Sequence, residues 1–429
     1  MIRVRPSPLS VAAAAVLVGA ACDLNLSNPN SPTETSVLNS VDGVLSLATG
    51  MQGQYAGSVA DFLVTNSLVT DEWGTTNKSL IAYQSLLTGQ SFDASYAVVA
   101  APWADAFRTI KSADNVIVHA PQVALSPGVR AGLVSLAELF KAMSLGTIVL
   151  QYQEVPIDAS RSGAVPQGRD VVLDTVLALL EQARGDWASV TAADSGTLKA
   201  RVLGTGFDVR NTIDAMRARY YLVAGRYAQA LDAANSVNPD VLSVLVYPSP
   251  GRNPVYDLSF LTGYVRALKS VKDQAQSGDR RVSYWIDTTA APVTGNPDSL
   301  LLPLKKYSGA NDPYPVYLPD EMKLIKAEAF TQLGQLDSAA FYVNAVRTQT
   351  TSALDEPVAG LPALDPATQL NTPAQLLAAI AYERRYELFE QGLRWEDTRR
   401  LGTAITTTPT LSFLPIPTQE CDANPAAGC

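Results

Sequence analysis

The chain has 429 residues, 47% of them apolar and only 17% charged, with a formal net charge of −9. That length and apolar share allow a large buried core. The acidic balance excludes nucleic acid as the main partner, because phosphate binding needs a concentrated basic surface, and 17 tyrosines and 5 tryptophans suit a neutral ligand better.

In chain order, Arg3 and Arg5 precede an apolar run from Leu9 to Ala21. The run is too short for the roughly 20 residues of a spanning helix, but it fits the core of an export signal covering residues 1–21. Its end, Gly19-Ala20-Ala21-Cys22, resembles a bacterial lipobox, with Gly19 where leucine is usual. In such signals the cysteine is acylated and becomes the mature N-terminus; an ordinary signal cleaved after Ala21 is the alternative. No later stretch reads as apolar enough to span a bilayer, so a protein lipidated at Cys22 would be anchored to the membrane without crossing it. Residues 22–40, interrupted by Pro29 and Pro32, read as a tether.

The remainder, residues 41–429, reads as one mainly α-helical domain. Val44, Leu45, Leu47, Ala48, Met51 and Tyr55 fall at helical spacing, and so do Trp103, Phe107 and Ile110, which places Trp103 in the core. Gly128–Tyr152 is one long run of good helix formers. Two later segments, Ala215–Asn235 and Leu324–Asn344, superpose at a constant offset: Ala218 on Ala327, Tyr221 on Phe330, Gly225 on Gly334, Ala230 on Ala339. Glycine permits a left-handed end to the first helix, and the small alanines let the second approach closely. This is the tetratricopeptide-like helical hairpin pattern. Between the two hairpins, residues 238–315 are rich in Pro, Gly, Asn and Asp with short β-like runs, a loop-rich excursion of surface loops or small hairpins.

Thr372, Pro373 and Gln375 then open another helix as N-cap, first-turn proline and capping-box partner. It leads into Glu383–Gly402, a dense mixture of charges and aromatics. On a helical wheel Arg384 and Glu387 border an apolar face and are close enough to pair. With Glu383, Arg394, Asp397 and Arg400 they predict a salt-bridge network clamping two helices, since charges near a core need partners.

The same stretch is similar to the C-terminal signature of the SusD/RagB family of outer-membrane nutrient-binding lipoproteins. Glu383, Arg384, Arg385, Glu387, Leu388, Gly392, Arg394, Trp395, Asp397 and Arg400 carry the likeness, while Leu393 and Glu396 depart from it. Glu321–Ala329, the segment Phe413–Pro425, the Asn-Pro-Asn-Ser-Pro-Thr run after Cys22 and the lipobox extend it over most of the chain. The resemblance implies that the signature at 373–402 is structural. It also implies a surface lipoprotein of the bacterial outer membrane that captures a nutrient, usually an oligosaccharide, and passes it to a SusC-like TonB-dependent transporter. Sugars are held by aromatic faces and by Asn, Asp and Arg groups on their hydroxyls. Trp73, Asn77, Tyr83 and Tyr96, in a stretch read as loop, are the candidate contacts.

Enzyme chemistry finds less support. His119 is the lone histidine, at an apparent helix end, and no zinc, P-loop or nucleophile-elbow pattern occurs. No catalytic residue, metal site or cofactor is expected. Asp71 and Glu72 in Thr70–Trp73 are the most tempting acidic pair for a glycosidase. A ligand-free helical scaffold of the envelope is the other alternative. Cys421 and Cys429 close the inventory, either as a small-loop disulfide or as two unpaired thiols.

Overall fold

The computed structural model describes residues 38–89, 93–158, 163–295, 299–402 and 411–429. The signal, Cys22 and nearly all of the tether lie outside them. The principal helices are α1 (Val41–Gly57), α2 (Val59–Val69), α3 (Ile81–Thr88), α4 (Ala97–His119), α5 (Pro127–Val149), α6 (Arg169–Trp187), α7 (Ala192–Leu198), α8 (Val209–Val223), α9 (Tyr227–Ser236), α10 (Pro319–Gln332), α11 (Leu336–Arg347), α12 (Pro373–Glu387) and α13 (Arg394–Leu401). Of these α1, α4, α5 and α8–α13 fall on stretches predicted as helical, whereas α3 lies in the stretch read as loop. Their starts follow local chemistry. Ser40 and Ser126 accept backbone N–H bonds at the N-termini of α1 and α5, and Thr372 and Gln375 form the reciprocal capping box of α12.

Successive helices stack into an array. α4 packs on α1, α5 on α4, α6 on α5, α8 on α6, and α9, α10 and α11 follow in turn. α5 is long and apolar enough to cross a bilayer, which corrects the sequence reading; its surface is instead covered by its neighbours, making it the central core helix. The two predicted repeats are the hairpins α8–α9 and α10–α11. Gly225 (φ 69°) and Gly334 (φ 75°) end their first helices in the left-handed region. In each, the next residue's N–H reaches back five residues, Arg226 to Tyr221 and Gln335 to Phe330, both at 2.8 Å. Ala218, Ala230, Ala327 and Ala339 are fully buried at the close approaches.

Short strands interrupt the array. β1 (Trp73–Thr75), β5 (Val265–Leu268), β6 (Val293–Thr294) and β7 (Leu300–Leu302) form one antiparallel sheet in the order β1-β5-β7-β6. Two ribbons pair β2 (Glu154–Val155) with β3 (Gln167–Gly168), and β4 (Val244–Leu245) with β8 (Tyr314–Pro315). The excursion is therefore more than surface decoration, for Val265, Ala267, Leu301 and Leu302 belong to the main core.

α12 joins two cores. Its Leu376 and Ile380 sit with Ala327, Ala339 and Val343 in a small C-terminal cluster, whereas Tyr386, Leu388, Phe389 and Trp395 enter the main one. The charged signature lies at the crossing. Arg281, fully buried, pairs with Asp279 (2.8 Å), Glu383 (2.7 Å) and Glu387 (3.4 Å), and Arg347 meets the other oxygen of Glu383 (2.8 Å). Asp397 receives Arg384 (2.8 Å) and Arg400 (2.9 Å), and Arg400 also reaches Glu328 of α10 (2.6 Å). Burial alone would raise Asp397, but Arg384 and Arg400 outweigh it and hold its carboxyl below the ordinary range.

Two details of the expected network change. Arg384 pairs with Asp397 rather than Glu387, because Glu387 faces Arg281 from a segment a hundred residues earlier. Arg394 stands apart: its Nε and Nη1 have no hydrogen-bond partner, and burial together with Arg385 makes its charge harder to hold. Cys421 and Cys429 are joined in a disulfide with their Cα atoms 5.7 Å apart.

Candidate ligand-binding face

Helix α2 ends at Val69, and Asp71 (φ 58°) turns the chain into β1. β1 pairs with β5 in the register Trp73↔Ala267, Gly74↔Arg266 and Thr75↔Val265. Leu301 of β7 folds over this edge so closely that a Cβ on Gly74 would lie 2.5 Å from its Cδ2. The pairing carries Trp73 inward. Its side chain is 0% exposed, so it presents no ring to a ligand, contrary to the loop placement expected from sequence.

Behind it lies a buried acidic pair. Burial, opposed by Arg394 and Ser67, pushes the Glu72 carboxyl up to about 7. Glu390, in the turn between α12 and α13 at φ 60°, is raised well above the usual range by burial and by Glu72. The Trp73 indole is near enough to favour the Glu390 anion but lies outside hydrogen-bond geometry. Asp71 and Glu72 are both buried, so the acidic pair singled out from sequence does not line an open cleft.

Beyond β1 the chain surfaces. Thr76 donates through its N–H to Tyr264 O (3.1 Å) and through its hydroxyl to Gly263 O (2.6 Å), while Thr75 Oγ1 also donates to Tyr264 O (3.0 Å). These bonds dock the 254–264 segment of the excursion beside the start of α3. Asn77 shapes the entry to α3, its Oδ1 accepting from Ser79 N (2.9 Å). Tyr83, half-buried on α3, faces Tyr264; burial first, then Asp61 and Tyr264, push its hydroxyl up to about 12. Across the face Tyr256 and Phe260 stack at 6.1 Å and 11°. Phe260 is 38%, Leu261 56% and Tyr264 37% exposed.

The structure thus brings Asn77 and Tyr83 together with Tyr256, Phe260 and Tyr264. Tyr96 lies elsewhere, opening α4 beside the C-terminal segment, where Ala94 O accepts from Thr418 N (3.2 Å). Trp103 is core, packed edge-on against Tyr152 at 5.0 Å. From sequence the Tyr-rich loops between Tyr247 and Tyr317 are candidates only after Trp73, Tyr83 and Tyr96, and Phe260 is not singled out, although Asn253-Pro254 is a helix-start signal for the short α and π turns that carry Tyr256 and Phe260. A cavity of about 60 Å³ beside Tyr55, Arg219 and Tyr220 has room for a few waters and not for a sugar.

Comparison with known proteins bears on this arrangement. The model of the SusD family matches residues 304–411, the stretch that holds α10–α13 and the buried charges other than Asp279 and Arg281. Over that stretch the chain carries the sequence pattern of the SusD family. SusD-like protein P38 of Formosa agariphila is 33% identical over 138 residues, 30% of this chain and 25% of that protein, so the alignment spans a quarter of that relative. Among solved structures, a SusD superfamily protein from Bacteroides thetaiotaomicron superposes with a TM-score of 0.70 at 18% identity, covering 90% of this chain and 99% of the other. Surface glycan-binding protein A from Bacteroides uniformis does so with a TM-score of 0.66 at 16% identity, over 88% and 98%. At these identities the structural likeness speaks for the fold.

Proposed function

We propose that the chain is a surface lipoprotein of the outer membrane, acylated at Cys22, that binds an oligosaccharide and delivers it to a SusC-like TonB-dependent transporter without turning it over. The observation that carries the reading is the half-buried Tyr256 stacked on the exposed Phe260, with the exposed Tyr264, beside Asn77 and Tyr83. Apolar sugar faces stack on such rings, and amides bond the hydroxyls. The glycan-binding relative of the same fold supports the ligand class. The acidic pair Asp71 and Glu72 is buried, as is Glu390, which favours binding over glycoside hydrolysis at that place.

The test is calorimetric titration of neutral oligosaccharides into the purified protein, with product analysis alongside. Phe260→Ala and Tyr264→Ala should each weaken binding by roughly 1–3 kcal/mol and leave the melting temperature unchanged. Full affinity in the double variant would remove the aromatic face from the reading. Released sugar would overturn the non-catalytic part. Cys22→Ser should free the protein from the membrane fraction or leave it unprocessed, and unchanged fractionation would refute the anchor. Co-purification of an outer-membrane transporter tests the partner.

A further inference from the structure

A second opening, of about 380 Å³, lies beside the β4–β8 ribbon and shares no lining residue with the aromatic face. Pockets that take small ligands begin near this size, at roughly 300 Å³. Its rim carries Lys305 and Lys306, the one Lys-Lys pair in a chain of net charge −9. Both ammonium groups are tethered. Lys306 Nζ sits 2.6 Å from Asp355 Oδ2, and Lys305 Nζ donates to Ser283 O (3.0 Å). An ammonium has three donors, so each keeps two for a ligand while its position is fixed.

The surroundings define what that ligand must be. Lys306 Nζ lies over the Tyr284 ring at 4.6 Å, Trp285 packs edge-on against the same ring at 4.8 Å, and the Tyr284 hydroxyl donates to Asp355 O (2.6 Å). Tyr284 is thereby held in place at the cleft wall. Asp355 holds these contacts at φ 53°, a conformation uncommon for a residue other than glycine. Two ammonium groups, Lys305 and Lys306, and two carboxylates, Asp312 and Asp355, line the cleft together. Elsewhere in the cleft Asp312 spends one carboxylate oxygen on Gly309 N (2.7 Å), and Ser308 is exposed, so hydroxyl-bonding groups share the opening with the ammonium groups. Leu318, Leu354 and Pro313 supply apolar wall.

We infer that this cleft is a second binding site and takes an anionic saccharide unit. Its carboxylate or sulfate lies against Lys305 and Lys306, its hydroxyls reach Asp312 and Ser308, and its C–H face rests on the leucine and proline side chains. From the proposed function the inference takes only that the ligand is a sugar; the anionic half stands on the lysines.

The test titrates three probes, an oligogalacturonate, a neutral galacto-oligosaccharide of equal length and a sulfated galactan oligomer. The proteins are the parent, Lys305→Met/Lys306→Met and Phe260→Ala/Tyr264→Ala. The lysine variant should lose at least tenfold in affinity for a charged probe and keep its melting temperature, and the parent's affinity for that probe should fall as salt rises. Which charged probe responds tells carboxylate from sulfate. Undiminished binding of both charged probes to the lysine variant would overturn the inference, and so would failure of both to bind the parent. Loss of charged binding in the lysine variant alone, with the aromatic variant unaffected for every probe, would uphold the inference while refuting the role of the aromatic face.

Discussion

Arg281→Met is the sharpest test of the buried joint. The side chain is fully buried and is the shared partner of Asp279, Glu383 and Glu387. Burial works against its charge, but the Asp279 hydrogen bonds and the neighbouring glutamates raise its pKa above the ordinary value. Glu383 would retain Arg347, while Asp279 and Glu387 would lose their guanidinium. Removing one partner of a buried ion pair costs about 3–5 kcal/mol. Methionine keeps contact with Tyr382 and Tyr386, the rings under the guanidinium at 5.9 and 5.8 Å, so we take the lower end, about 3 kcal/mol. At an unfolding entropy of about 0.8 kcal/mol/K for the described residues, that is a fall of about 4 °C in melting temperature. Scanning calorimetry measures it. The deficit should also depend on pH. Carboxylates left without a cation have folded pKa values above their unfolded ones, so the variant's stability declines as pH rises past about 4.5. Arg201→Met, which removes the exposed pair with Asp42 (2.6 Å), should move the melting temperature by less than about 1 °C. An Arg281→Met protein melting with the parent at pH 8 would refute the reasoning.

Three further outcomes follow from the same structure. Trp73→Ala should cost about 3–5 kcal/mol of stability, as for a large buried ring, and a variant that melts normally but binds sugar weakly would contradict its burial. Gly334→Ala should cost about 1–2 kcal/mol in denaturant unfolding, because φ 75° disfavours a Cβ although nothing lies within 4 Å of one; Gly225→Ala should match it, and a neutral result would mean that the hairpin turn relaxes. Glu72→Gln isolates the carboxyl raised to about 7: the folded state of the parent binds its proton more tightly than the unfolded chain does, so the parent loses stability as pH rises from about 4.5 to 7. The variant should therefore gain up to about 3 kcal/mol relative to the parent across that window, and parallel stability curves would show that Glu72 is solvated.

What could be read from sequence is what local periodicity encodes. The hairpins α8–α9 and α10–α11 were legible because glycine spacing and small-residue positions recur at one offset, and both turns use the same backbone geometry. The clamp role of 373–402 was legible too, since charges beside an apolar stripe need partners. The partners were not. Arg281, Asp279, Arg347 and Glu328 approach from three other segments, and no local pattern points at them. Trp73 shows the same limit from the other side. In sequence it stands among Asp, Glu, Gly and Thr, the company of an exposed ring. Its burial is decided by β5, almost two hundred residues later, which pairs with β1 and turns the indole inward. The same strand begins at Val265, immediately after Tyr264, whose carbonyl takes the hydrogen bonds of Thr75 and Thr76. One non-local pairing therefore removes the aromatic that looked exposed and supplies another in its place, so the candidate ligand face and the core share a single structural cause.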